Sequence, residues 1–216
     1  MNILKELLNA LWQQNFEILS DPILVCIMYL LVCIILFLEN GFLPSSFLPG
    51  DSLLIFLGVL IAKGTLNFPM TLLLLTISAS LGSWISYLQG KWLGNNRIVT
   101  NWLNHFSVHY HERAYRMFYR HGLSALLIGR FIAFVRTLLP IIIGLSGLKK
   151  SRFHFFNWTS AFLWVFILIL IGFFFGKTSV FQRYEEVMIL CLMLLPLVLL
   201  SIGLVSSLVI IFRRKN

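Results

Sequence analysis

The chain has 216 residues, of which 59% are hydrophobic and only 12% charged, and its mean hydropathy is +0.89. A soluble domain is closer to half apolar and spreads its charges, so this composition excludes an ordinary globular protein and gives an all-α polytopic membrane protein, one membrane domain over residues 1–216. The net charge of +9 does not point to nucleic acid, because the basic residues stand at the ends of apolar runs, where cytoplasmic loops and anionic headgroups hold Lys and Arg.

In chain order, residues 1–21 lack the basic start, clean apolar core and small-residue cleavage site of a signal peptide. Ile3, Leu4, Leu7, Leu8, Leu11 and Trp12 instead follow a 3.6-residue period, which predicts an amphipathic helix on the membrane surface. Pro22 then opens a first apolar span, 22–38. The region 39–64 is apolar but contains Glu39, Pro44, Pro49, Gly50 and Asp51. A third region, 70–90, carries Ser78, Ala79, Ser80, Gly82, Ser83 and Ser86, small residues suited to close helix packing. Residues 91–121 are basic and aromatic. The region 122–148 is apolar with Arg130, Arg136 and Pro140 inside it, and two further apolar runs cover 155–176 and 187–212. Cys26, Cys33 and Cys191 fall within apolar runs without metal-ligand spacing and read as small buried hydrophobes.

The positive charges fix a topology. Lys91 to Arg120, then Lys149, Lys150 and Arg152, then Arg213, Arg214 and Lys215 all belong on the cytoplasmic side. With both termini inside, the regions 39–64 and 122–148 each have their two ends on one side of the membrane. The expected architecture is four transmembrane helices plus two oppositely oriented re-entrant hairpins, the logic of inverted-repeat secondary transporters.

The hairpins carry the chemistry. Pro44, Pro49 with Gly50, and Pro140 are expected to break the helices, and freed backbone groups are tolerated only where protein or a water-filled cavity receives them. Glu39 reads either as an interfacial acid or as a proton-carrying group. Asp51 reads either as a helix N-cap or as a second such group. Arg130 and Arg136, costly inside a membrane, are either partners for buried acids or a guanidinium fork for a substrate anion. Together the four charges sum to zero, and protonating a carboxylate would free an arginine for an anionic ligand. His105 and His109 are four apart, but no carboxylate or cysteine completes a metal site, so no metal, cofactor or enzymatic activity is expected.

The segments FLPGDSLL, GRFIAFVRTLLP and GLSGL, with FLENG, WLGN, HYHERA, HGLSALLIGRF and FFNW, resemble the DedA family of bacterial inner-membrane proteins across nearly the whole chain. The resemblance implies two facing re-entrant hairpins, dependence on the proton gradient, and a role in envelope integrity and tolerance of alkaline pH and cationic drugs. It places the family's essential charges on Glu39, Asp51, Arg130 and Arg136, although many members carry glutamate where this chain has Asp51. The expected activity is a proton-coupled transporter or flippase for an anionic, phosphate-bearing lipid such as undecaprenyl phosphate or a phospholipid. The alternative is a proton-coupled antiporter of small cations or cationic drugs. Membrane lipids and protons are the expected partners, nucleic acid is not, and assembly as a homo-oligomer is compatible with the sequence.

Overall fold

The computed structural model describes residues 21–45, 48, 50–94, 126–145, 150–183 and 187, and every regular element among them is helical. The expected surface helix before Asp21, most of the basic segment 91–121 and the last apolar run beyond Val187 lie outside the described residues.

Helix α1 spans Pro22–Gly41. The Asp21 carboxylate accepts the Ile23 N–H at 3.0 Å, a cap, and Pro22 fills the first helical position, where a missing N–H costs nothing. The helix passes the expected end at Leu38, so Glu39 lies within its last turn. The Leu38 carbonyl accepts both the Phe42 N–H at 3.0 Å and the Ser45 hydroxyl at 2.6 Å, which ties the following turn to the helix end. A short 3-10 turn follows, Leu43–Ser45. Helix α2, Gly50–Ala62, starts before Asp51, whose carboxylate stands in the first turn, the helix end that favours negative charge. The end of α2 is a Schellman motif: Thr65 N–H bonds the Leu60 carbonyl at 3.1 Å, Gly64 N–H bonds Ile61 at 3.0 Å, and Gly64 takes φ 81°.

Helix α3, Phe68–Gly94, is capped by Asn67, which accepts the Met70 N–H at 3.2 Å. Residues 126–130 are helical, turn at 131–132, and resume as α4, Ala133–Leu145. Helix α5, Lys150–Gly176, begins before the expected Phe155, and α6, Ser179–Arg183, is a single turn.

Pro140 does not break the chain as its residue type suggests. It lies inside α4, and the break falls at Phe131–Ile132, closed by i−3 bonds from Phe131 to Ile128 (3.1 Å) and Ile132 to Gly129 (3.2 Å). An internal proline costs roughly 3 kcal/mol; here the helix around it is held on α3 by Ile141 and Gly144. Cys26 is also a correction: it is exposed rather than buried, because it belongs to the outward face of α1 with Ile23 and Leu30.

Among the described residues, three helices, Pro22–Gly41, Phe68–Leu93 and Lys150–Gly176, are long and apolar enough to cross a membrane, with hydropathies of 2.7, 1.5 and 2.3. Their outward faces carry Ile23, Leu30, Leu73, Phe155 and Phe174, which suits lipid rather than water. The 13-residue helices α2 and α4 extend about 20 Å, short of a hydrocarbon core of about 30 Å.

The chain forms two compact units, one of 1–32, 47–72 and 167–216, the other of 33–46 and 73–166. In the first, α2 packs on the end of α5 through glycine: a Cβ at Gly58 would overlap the Ile169 carbonyl, and one at Gly172 the Ile55 carbonyl. Tyr29 and Thr71 share a hydrogen bond of 2.7 Å, joining the starts of α1 and α3.

In the second unit, the small residues of α3 from Ser78 to Ser86 form a buried face. The end of α1 docks there. Ser86 donates to the carbonyls of Asn40 (2.8 Å) and Gly41 (2.9 Å), and Gln89 donates to Gly41 (3.1 Å). On the next turns of α3, Cβ atoms at Gly90 and at Gly144 of α4 would overlap the carbonyls of Ile141 and Tyr87. Tyr87 stacks on Phe153 at 4.5 Å and shares a core with Leu126 and Ile143. Helix α4 also touches the 43–45 turn.

Gly144→Val is therefore expected to force α4 off α3 and lower the thermal unfolding temperature in detergent, at a cost of about 1–3 kcal/mol or more. Gly64→Ala has open space around it, so its cost is the left-handed backbone alone, about 1–2 kcal/mol. A Gly144→Val variant as stable as the wild type would contradict the close-approach account.

Candidate functional site

Among the described residues, the second unit buries three charged side chains: Glu39 at 0%, Arg130 at 3% and Arg136 at 4% exposure. Each is placed by a local feature. Glu39 is carried by the last turn of α1, which Ser86 and Gln89 fix on α3. Arg130 ends the helical segment before the 131–132 turn, and Arg136 stands in the first turn of α4. The break between them means the two arginines do not share one continuous helix.

Glu39 and Arg136 form a buried ion pair, Oε1 to Nη2. Both charges stand at the helix end that disfavours them, an acid near a C-terminus and a cation near an N-terminus. The helix dipoles therefore stabilise neither charge, and each is a counter-charge within reach of the other.

Arg130 is held differently. Its Nε donates to Ser160 Oγ (3.0 Å), Nη1 to Asn40 Oδ1 (3.2 Å), and Nη2 to Ser83 Oγ (3.3 Å), the Asn157 carbonyl (3.3 Å) and Asn157 Oδ1 (2.6 Å). All of these acceptors are neutral. The Asn157 amide in turn donates to the Ser80 carbonyl at 2.9 Å, locking α5 to α3 through the same residue. Both guanidiniums lie over the Trp164 ring, Arg130 at 6.0 Å and Arg136 at 5.6 Å from the centroid, within cation–π range. Among the described residues, the core of this unit thus contains two buried cations and one buried anion.

Of the residues that the sequence singles out, Glu39, Arg130 and Arg136 come together here. Asp51 belongs to the first unit and is partly buried. Pro44 is in the 3-10 turn, Gly50 opens α2, and Pro49 lies outside the described residues, as do His105 and His109. Asn40, Ser83, Asn157, Ser160 and Trp164 carry no catalytic pattern that composition could reveal. A signal does exist: Asn157, Ser160 and Trp164 recur at i, i+3 and i+7 on one face of an apolar helix. Among the described residues no group of His, Cys, Asp and Glu is arranged to hold a metal.

Removing one member of a buried pair leaves an uncompensated charge and costs about 3–5 kcal/mol. Glu39→Gln and Arg136→Gln are each expected to lower thermal stability, and the double variant to lose less than the sum of the two. Additive losses would show that the two side chains do not depend on each other.

A VTT domain model matches residues 48–174. The chain is 60% identical over 215 residues to the Inner membrane protein YqjA of Escherichia coli strain K12, covering 100% of this chain and 98% of that protein. It is 49% identical, with the same coverage, to the Inner membrane protein YghB of that strain. To Protein DedA of the same strain it is 31% identical over 163 residues, 74% of each chain. No solved structure matches it. With the apolar helices and the buried charges of FLENG and GRFIAFVRTLLP already in place, the chain belongs to the VTT-domain, or DedA, family.

Proposed function

We propose that this protein is a proton-motive-force-dependent transporter of the bacterial inner membrane that moves an anionic, phosphate-bearing lipid between leaflets and so supports the envelope. The observation that carries this reading is the buried excess of guanidinium over carboxylate in a membrane protein, with Arg130 held only by neutral oxygens in the described contacts. Neutral oxygens orient a cation without cancelling its charge, so the field of Arg130 remains available to an anion. A guanidinium presents a planar fork that matches phosphate oxygens. A lipid substrate keeps its tails in the bilayer and brings only the headgroup to the charges.

Glu39 supplies the coupling in this scheme. A phosphate that takes over Arg136 leaves the Glu39 carboxylate buried without its counter-charge, and desolvation then favours the protonated acid. Proton uptake by Glu39 and anion capture by Arg136 are therefore two sides of one exchange. Asp51, at the favourable end of α2, is the second candidate proton carrier. The short helices α2 and α4 are limbs of the two re-entrant hairpins in this reading, and both termini are cytoplasmic.

A second reading draws on the same ion pair. With Arg136 bonded to Glu39, a proton-coupled antiporter of cations would use the acids for its substrate and the arginines as fixed counter-charges.

Reconstituted vesicles separate the two. The expected result is leaflet exchange of phosphatidylglycerol or a polyprenyl phosphate that accelerates under an imposed pH gradient. Arg130→Lys and Arg136→Lys should each slow it about tenfold to a hundredfold, the loss of a charge-assisted hydrogen bond or two. No exchange of either lipid under any gradient would refute the flippase reading. Full activity of both lysine variants in a drug or cation flux assay would support the antiporter.

A further inference from the structure

Trp164 is fully buried on α5. An indole nitrogen can only donate, and a buried tryptophan N–H ordinarily finds an acceptor. Here Nε1 has none, although the same face of α5 is rich in oxygen. The Ser160 hydroxyl and the Asn157 side-chain and main-chain oxygens, one and two turns away on α5, all accept from Arg130. A phenylalanine would fill the same space and meet both guanidiniums without burying an idle donor. On α3, the Ser80 hydroxyl is 1% exposed and also lacks a partner, while the Ser80 carbonyl accepts the Asn157 amide at 2.9 Å. Two neutral donors are thus unpartnered in a unit that already buries two cations and one carboxylate among its described residues. Such a surplus of donors fits a group with several acceptor oxygens and no donors of its own.

We infer that the Trp164 indole N–H is a ligand-binding donor for a phosphoester headgroup held by Arg130 and Arg136. The inference rests on the phosphate-lipid reading above and adds to it a further donor for the oxyanion. Trp164 has a double role in this arrangement. Its ring face meets the two guanidiniums at 5.6 and 6.0 Å, and its edge supplies an uncharged donor, which binds a phosphate oxygen without adding to the net charge that must be buried when the site is empty.

The test uses the full chain purified in an uncharged maltoside detergent and titrated with short-chain phosphatidylglycerol. Trp164→Phe keeps the ring and removes only the N–H. It is expected to weaken lipid binding about tenfold, the worth of one hydrogen bond to a charged group, and to leave the unfolding temperature without lipid unchanged or higher, since an idle buried donor is gone. A variant with Trp12, Trp84, Trp92, Trp102 and Trp158 replaced by Phe isolates the Trp164 emission. Its maximum is expected to shift to longer wavelength on adding phosphatidylglycerol, which decides the matter even if Trp164→Phe folds poorly. Equal lipid affinity of wild type and Trp164→Phe, or an emission maximum that does not move while lipid binds, overturns the role of Trp164 and leaves the transport reading standing. Absence of any lipid binding by the wild type overturns both. The same emission shift with inorganic phosphate at the same concentration would assign the site to free phosphate and overturn the lipid headgroup.

Discussion

The ion pair between Glu39 and Arg136 is the interaction on which the second unit depends. Two charges are buried within a chain built for hydrocarbon, each at the end of its helix that disfavours it. An isolated charge at the centre of a membrane helix costs roughly 2.5–3.5 kcal/mol on insertion scales and more by other measures. Mutual neutralisation offsets that cost, and it requires the end of α1 and the start of α4 to meet. The same requirement explains why α1 runs on through Glu39 rather than ending at Leu38. It also explains why the Ser86 and Gln89 side chains are committed to the last carbonyls of α1.

Helix α3 is the element that makes this meeting possible. Its glycines and serines let α1 and α4 approach at backbone distance, with Gly82 beneath Phe37 and Asn40 and Gly90 beneath Ile141. Larger side chains would separate the two charged helix ends by more than an ion pair can bridge. Arg130 is then added in a shell that, among the described residues, consists of neutral oxygens from α1, α3 and α5. A protein seeking stability alone gains little from such a group, because replacing buried charge by apolar packing is often neutral or stabilising. Its position beside a ready-made pair, with the Trp164 Nε1 unpartnered, is what the proposed anion site rests on.

Much of this was legible before any coordinates. Apolar run length located the three long helices, and charge type singled out Glu39, Arg130 and Arg136 as residues that lipid would reject. Small-residue spacing marked the packing face of α3. What the residues could not show was tertiary. Pro140 suggested a break that packing of Ile141 and Gly144 on α3 overrides, while the real turn at Phe131–Ile132 is written in residues with no turn preference of their own. Asn40, Asn157, Ser160 and Trp164 acquire meaning only once Arg130 is placed among them, since an asparagine or serine in an apolar helix has no intrinsic chemistry. Asp51 illustrates the opposite limit: its residue type marked it as strongly as Glu39, yet it stands in the first unit, at a helix start that stabilises a carboxylate by itself.

The central claim is that an anionic headgroup and the Glu39 carboxylate exchange places on Arg136. Proton uptake measured during lipid binding tests it most directly, using phosphatidylglycerol, whose phosphodiester does not titrate near neutral pH, in weakly buffered solution. By linkage, binding should draw about one proton per lipid into the wild-type protein and none into Glu39→Gln, which still binds. Lipid binding by the wild type with no proton uptake would contradict the account.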